Sequence, residues 1–321
     1  MIGLSLSPGG LLLPYHLGAL SSLMHHGILT NETPMAGSSA GSIAVAAVAA
    51  GVPTTQVLEA SIRVSQHCNP LFLARGGLLE ILKHELDTQL PKDAHEIVNQ
   101  RTGSIGLAHY ELYPSLQPRL QKQPFDSREA LIHAVCDSST FPYFTTNTPV
   151  GIHWKDKNHK RLTTAVATSR SNRNNRLFEI DRLVLDGIFT EPPPRFGCPD
   201  LSTIAPPNTR EVQIMVCPKE LPSLLDLDVD IGKMHNKRWD RNHNTVCPDL
   251  QVTNIVGQAT FLGLSAVTVV PRKWLTGLYD SGYRDAEKWV FDEQERQRQQ
   301  QKQQNSNQKR KQQKQQSEAA L

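Results

Sequence analysis

Five residues, Gly37-Ser38-Ser39-Ala40-Gly41, constrain this chain more than any others. They have the form Gly-x-Ser-x-Gly, and their neighbours have the composition that form needs. Met35 and Ala36 can end a short buried strand, and residues 43–50 are all isoleucine, valine or alanine before a stop at Gly51. A strand that turns sharply into a helix lifts the central serine into the open, and small residues at both ends let the backbone pass without a clash. The new helix points its positive end, about half a charge, at that serine and so steadies an anion there. The plain alternative is a small-residue turn that packs a helix on a sheet.

Two further elements bear on that choice. The chain opens with Ile2-Gly3-Leu4-Ser5-Leu6, then Ser7-Pro8-Gly9-Gly10, then an apolar-rich stretch over 11–26 that stops at Gly27. This reads as strand, glycine turn, helix. Consecutive backbone N–H groups at such a turn can hold an oxyanion. A phosphate-binding loop is the competing reading, but neither glycine-rich phosphate pattern is complete here. Far downstream, Leu183-Val184-Leu185-Asp186-Gly187 is a short apolar strand ending in Asp-Gly. Its carboxylate can reach a shared site, or it can be an ordinary turn.

The order of the three elements resembles the patatin-like phospholipase family. The resemblance continues in Arg75-Gly76-Gly77-Leu78-Leu79, in Leu90-Pro91, in Phe125-Asp126-Ser127-Arg128, in Asp137-Ser138-Ser139-Thr140-Phe141-Pro142 and in Gly282-Tyr283-Arg284-Asp285-Ala286. It covers residues 2–290 and is greatest with the branch of adipose-type triacylglycerol lipases and their plant and algal relatives. The chain departs from the family pattern at Pro8, where a first glycine is usual, at Leu12 and Leu13, where a basic residue is common, and at Ile188, where a second glycine is common.

The resemblance implies a three-layer α/β/α fold with a central, mostly parallel sheet. It implies a lipid acyl hydrolase domain over 1–290 that cleaves carboxylic esters of glycerolipids through a Ser–Asp dyad and an acyl-enzyme. Ser39 is then the nucleophile and Asp186 the proton acceptor. Gly9, Gly10, Leu11 and Ala40 supply N–H groups to the oxyanion, and Gly37, Gly41 and Gly187 are motif glycines. No cofactor and no metal are expected. A free Asp, with a pKa near ~3.9, is a poor base for a hydroxyl, so such a dyad needs a buried Asp and strong oxyanion stabilisation. A Ser–His–Asp triad is the rival, since His235 and His243 follow Asp186. An elbow at residue 39, however, leaves room for only one strand–helix unit before it. His235 also begins a His-x-x-x-x-Asp run with Asp240, a spacing known from acyltransferases; His16, His25, His26, His67 and His109 read as ordinary core or surface residues. A non-catalytic lipid-binding scaffold and an acyltransferase are the alternative functions.

Composition narrows the setting. At 321 residues the chain can bury the core of one α/β domain. No run of eighteen apolar residues exists, so no membrane-spanning helix is expected, and no positively charged lead precedes an apolar run as in a signal peptide. Five scattered cysteines, Cys68, Cys136, Cys198, Cys217 and Cys247, suggest reduced thiols and an intracellular setting, cytoplasmic or peripheral on a membrane or lipid droplet. The net charge of +3 is local: residues 292–321 carry +3 and residues 155–176 carry +6, which leaves −6 for the rest. Nucleic acid is therefore not an expected partner. Residues 291–321 are rich in Gln and Lys and read as frayed helix or disorder. The basic insertion, with Lys155, Lys157, Lys160, Arg161, Arg170, Arg173 and Arg176, and an apolar wedge at Leu71, Phe72 and Leu73 are candidate contacts with a lipid surface. Elsewhere the pattern alternates. Helices are expected over 54–65, 77–88, 127–135 and 283–298, and strands over 103–112 and 210–216.

Overall fold

The computed structural model describes residues 1–67, 77–156, 161–162, 178–191, 195–218, 244–248 and 262–319. The chain opens with β1 (Ile2–Leu6), a short 3₁₀ turn (Gly10–Leu12) and α1 (Leu13–His25). Pro14 sits in the first turn of α1, where a missing N–H leaves no bond unmade. Then follow β2 (Met35–Ser38), α2 (Ala40–Ala49), α3 (Thr54–Gln66), α4 (Leu78–Gln89) and α5 (Ala94–Asn99). The middle of the chain gives β3 (Ile105–Tyr113), β4 (Gln117–Lys122) and α6 (Arg128–Ser138), the last capped by the Ser127 hydroxyl, which accepts from the Ala130 N–H at 3.1 Å. The second half gives β5 (Gly151–Asp156), β6 (Arg161–Leu162), β7 (Phe178–Leu185), β8 (Arg210–Ile214), β9 (Thr245–Val246) and α7 (Arg272–Ala319), with a short helical segment over 262–267.

Among the described residues the strands form one nine-stranded sheet in the order β6-β5-β7-β3-β2-β1-β8-β9, with β4 also paired to β3. The run β3-β2-β1-β8-β9 is parallel, and the flank formed by β4, β7, β5 and β6 is antiparallel. Leu4, Leu6, Met35, Ile105, Leu107, Val212 and Ile214 belong to one apolar core with residues of the seven α-helices. Ala36 belongs instead to a cluster with Leu201 and Ile204, against which Leu120 packs. The arrangement is α/β/α with unequal layers: long helices on one face, and on the other, among the described residues, 3₁₀ turns such as Leu201–Thr203. The fold class read from the sequence is therefore the observed one. The antiparallel flank was not anticipated, and α7 begins eleven residues before the expected helix at 283.

Two glycines let α1 and α7 cross closely. A Cβ on Gly18 would lie 1.9 Å from the Tyr279 carbonyl oxygen, and one on Gly282 would lie 2.1 Å from that of Tyr15. Polar contacts flank the crossing: the Tyr15 hydroxyl donates to Asp285 at 2.8 Å, and the Tyr279 hydroxyl meets that of Thr54 at 2.9 Å. Helix propensity favours Ala over Gly by about 1 kcal/mol, but forcing a methyl into packed backbone costs about 1–3 kcal/mol. At 1.9 Å from backbone the steric effect wins. Gly18→Ala is expected to destabilise the fold by on the order of 1–2 kcal/mol, read as a lowered midpoint in thermal unfolding; an unchanged or raised midpoint would contradict the close crossing.

Candidate active site

β2 ends at Ser38 and α2 begins at Ala40. Ser39 makes the turn between them with φ 51° and ψ −119°, a conformation that non-glycine residues rarely adopt and that costs on the order of 1–3 kcal/mol. Three bonds to its carbonyl and one to its N–H hold it there. The Ser39 N–H donates to Ser138 Oγ at 2.9 Å, and Ser138 Oγ donates onward to the Ala108 carbonyl. The Ser39 carbonyl accepts from the N–H groups of Ser42 (2.9 Å) and Ile43 (3.2 Å) and from the Ser42 hydroxyl (2.6 Å). The flanking glycines are steric requirements. A Cβ on Gly37 would lie 2.3 Å from the Gly41 backbone, and one on Gly41 would lie 2.7 Å from the Leu6 carbonyl oxygen.

The glycine turn lies at the end of the neighbouring strand. Gly10 has φ +52°, and a Cβ there would lie 2.4 Å from the Ala266 carbonyl oxygen. Among the described residues the N–H groups of Gly9, Gly10, Leu11 and Ala40 have no acceptor. The base of the turn is anchored by Ser7. Its carbonyl accepts a 2.8 Å bond from His16 Nε2, and its hydroxyl accepts from the Val216 N–H at 3.2 Å. His16 is buried, and burial pulls its pKa down to about 4 against the raising effect of that bond, so the ring is neutral and carries its proton on Nε2. By sequence alone His16 reads as an ordinary core or surface residue. A polar ring in an apolar stretch was the available signal; its partner, a carbonyl nine residues earlier, was not.

The sheet register brings Asp186 to the same place. Ser38 pairs with Ala108 across β2 and β3, and Tyr110 pairs with Leu185 across β3 and β7. Because β7 runs antiparallel, its end falls two residues from Ala108. Gly187 packs where a Cβ would lie 2.5 Å from the Ala108 carbonyl oxygen and 2.7 Å from Ser38 Cβ. The Asp186 N–H donates to the Thr140 carbonyl at 2.8 Å. Its Oδ1 accepts from the Ile188 N–H at 2.8 Å, and among the described residues Oδ2 has no fully formed hydrogen bond. The side chain is 1% exposed. Burial pushes its pKa up to about 7, opposed by the Ile188 N–H and by the Ser39 hydroxyl, which acts on the carboxyl as a donor.

The serine, the glycine turn and the carboxyl border one cavity of about 290 Å³ whose walls are mostly apolar. Pro8, Gly9, Gly10, Leu11, Ser39, Ala40, Asp186 and Ile188 lie on its wall. A hydroxyl at a helix N-terminus, a carboxyl poised near neutral pH and four open N–H donors form a set that can accept and stabilise a tetrahedral oxyanion. Ser138 and Thr140, which the sequence did not single out for a role, bond the backbones of Ser39 and Asp186. Beside them Asp137 is buried. Burial pushes its carboxyl up, but the 2.7 Å bond from His153 Nε2 and the charges of His153 and Arg182 hold it down at about 2. Among the described residues no histidine is bonded to Asp186, and no group of three His, Cys, Asp or Glu side chains is placed to hold a metal ion. His235, Asp240, His243 and the Leu71, Phe72 and Leu73 wedge lie outside the described residues, as does the 155–176 insertion apart from the backbone of 155–156 and 161–162. Among the described residues no helix is long and apolar enough to cross a membrane.

No family model and no curated protein matches the sequence. Among solved structures the chain is similar to VipD from Legionella pneumophila, at 9% identity over 91% of this chain and 67% of that one, with a TM-score of 0.42.

Ser138 is the link most open to test. Ser138→Ala leaves the half-buried Ser39 N–H and the Ala108 carbonyl without their shared partner, a loss worth on the order of 1 kcal/mol. Urea denaturation should show that loss at unchanged slope; a variant as stable as the parent would mean that the turn at Ser39 is held by other contacts.

Proposed function

We propose that the protein is a lipid acyl hydrolase of the patatin-like kind, with residues 1–290 as the hydrolase domain and 291–321 as an appended tail. Ser39 Oγ attacks the carbonyl carbon of a glycerolipid ester and Asp186 accepts its proton at Oδ2. The carbonyl oxygen becomes an oxyanion and takes N–H bonds from Gly9, Gly10, Leu11 and Ala40. The tetrahedral intermediate collapses to an acyl-enzyme, and the departing alcohol recovers the proton from Asp186. Water then repeats the sequence, with Asp186 as base, and frees the fatty acid and Ser39. The substrate is met at a membrane or droplet surface.

The observation that supports this reading best is the pairing, on one apolar cavity, of a serine in a strained turn with a buried carboxyl whose pKa stands at about 7. A carboxylate in water would be too weak a base; near neutrality it is matched to the task. Among the described residues Oδ2 has no other partner, so it is open to the Ser39 hydroxyl, the donor such a base needs. The motif order quoted above supports the same reading.

Ser39→Ala is expected to abolish hydrolysis of short p-nitrophenyl esters and labelling by a fluorophosphonate probe, with the circular dichroism spectrum unchanged. Substantial activity in the folded variant would refute the nucleophile assignment. Asp186→Asn should come close to it in lost activity.

The pH behaviour follows from Asp186. As a base it works ionised, so kcat/KM should fall about tenfold per unit below pH 7 and level off above it. Stability runs the other way. The folded pKa of about 7 exceeds the unfolded value of 3.8, so the folded state holds the extra proton between them and loses stability as pH rises through that window. Asp186→Asn should therefore unfold at higher temperature than the parent at pH 8 and show little advantage at pH 4. The opposite order would mean that the carboxyl is not buried at this cost.

A further inference from the structure

The cavity has a direction. On α2, Ala40, Ile43 and Ala47 face it along one stripe, which places Ala47 about 10 Å along the helix from Ala40 at ~1.5 Å per residue. On α4, Leu78, Leu82 and Leu86 form a second stripe about 12 Å long by the same rise, and Leu90, just past the helix end, also borders the cavity. The Leu78 end is the Ser39 end, because Leu78 packs with Leu11 of the glycine turn, with Phe144 and with Val64. α3 runs back along α4, as the contacts Arg63 to Glu85 and Gln56 to Gln89 require, and adds Val57 and Ala60 to the wall. The far end changes character. Glu85 and Gln89 line it beside Leu86 and Leu90, and the Glu85 carboxylate is gripped by Arg63 through Nε at 3.0 Å and Nη2 at 2.7 Å, with Gln89 at 3.3 Å. That bond to Arg63 holds the Glu85 carboxyl below its usual pKa, so this side of the far end is charged.

Resting on the reading of Ser39 as an acyl-accepting serine, we infer that this cavity seats one straight, medium-length acyl chain and that the Glu85–Arg63 end sets its length. With sp³ carbons ~1.5 Å apart, an extended chain advances roughly 1.3 Å per methylene, so the stretch of about 12 Å from Leu78 to the level of the ion pair holds about ten carbons. A volume of about 290 Å³ lies at the small end of ligand pockets, which suits one chain and leaves the other chains and head group of a glycerolipid outside. A longer chain must press methylenes against an ion pair, which desolvates charge with no bond in return. Ala47 sets the width along the way, because its side chain is a single methyl on the cavity wall.

The test titrates the intact protein with saturated fatty acids of eight to eighteen carbons by calorimetry. It is run at pH 6, where Asp186 is largely protonated and does not repel the ligand carboxylate. Affinity should rise about fourfold per methylene up to roughly ten carbons and then level off or fall. Ala47→Leu should move that break to shorter chains by two or three carbons, and Leu86→Ala should move it to longer ones; either variant alone decides if the other does not fold. Absence of binding, a rise that continues to eighteen carbons, or a break unmoved in the folded variants would overturn the inference. Labelling of Ser39 by a fluorophosphonate probe reports separately on the catalytic reading. A normal chain-length break without labelling sinks the nucleophile and keeps the acyl seat, and labelling without a break does the reverse.

Discussion

The end of α6 is the fixture on which the site depends. Ser138 bonds the backbone of Ser39, and two residues later Thr140 bonds the backbone of Asp186. One short segment thus sets the position of two residues 147 apart in sequence. The strained turn at Ser39 persists only because its surroundings over-determine it. The Ser138 bond, the three bonds to the Ser39 carbonyl and the close contact of Gly37 with Gly41 leave the backbone no relaxed alternative. The same segment is itself secured. Ser138 is tied to Ala108 in β3, and Asp137 is tied to β5 and β7 through His153 and Arg182.

The reversal of strand direction at β3 makes that geometry possible. In the parallel part of the sheet, strand ends rise together, and the glycine turn and the serine turn fall side by side after β1 and β2. A further parallel strand on the β3 flank would reach the same rim only after crossing its whole length. β7 instead runs down against β3 and stops where Leu185 faces Tyr110, deep enough for the next residue to be almost wholly buried. Depth is what shifts the carboxyl, since burial is the largest influence on its pKa. The mixed sheet is therefore tied to the acid–base character of the site as well as to its shape.

What was legible in the sequence was local. Gly37 to Gly41, Gly9-Gly10 and Asp186-Gly187 were visible because each needs particular residues within a few positions, and β1, α3 and α4 lay close to where their patterns put them. What was not legible was long-range. The roles of Ser138 and Thr140 depend on a helix end meeting two distant turns, and His16 gains its role only once α1 folds back on Ser7. The strands β4 and β5 lack a strong apolar alternation; Gln117–Lys122 has almost no side chain to bury, and pairing with β3 decides its conformation. Gly10 was picked for its exposed N–H, whereas the structure adds a second reason, the Ala266 carbonyl packed against its Cα.

The apolar cavity and the acidity of Asp186 have one cause. Alanines along α2 pack that helix closely on the sheet and leave space on its other side, toward α3 and α4. That space is lined by carbon, and a carboxyl at its edge has little water to stabilise its charge. An occupant that filled it would remove still more water, so Asp186 would become harder to ionise as the site filled. The counterweight is the set of N–H groups at Gly9, Gly10, Leu11 and Ala40, which strengthen in the same dry medium. Under the proposed chemistry a neutral ester ground state would use them weakly, and an oxyanion would use them fully. The balance between a reluctant base and strengthened donors would then tilt toward the charged intermediate, so the dryness that hinders the proposed first proton transfer would favour the state that follows it.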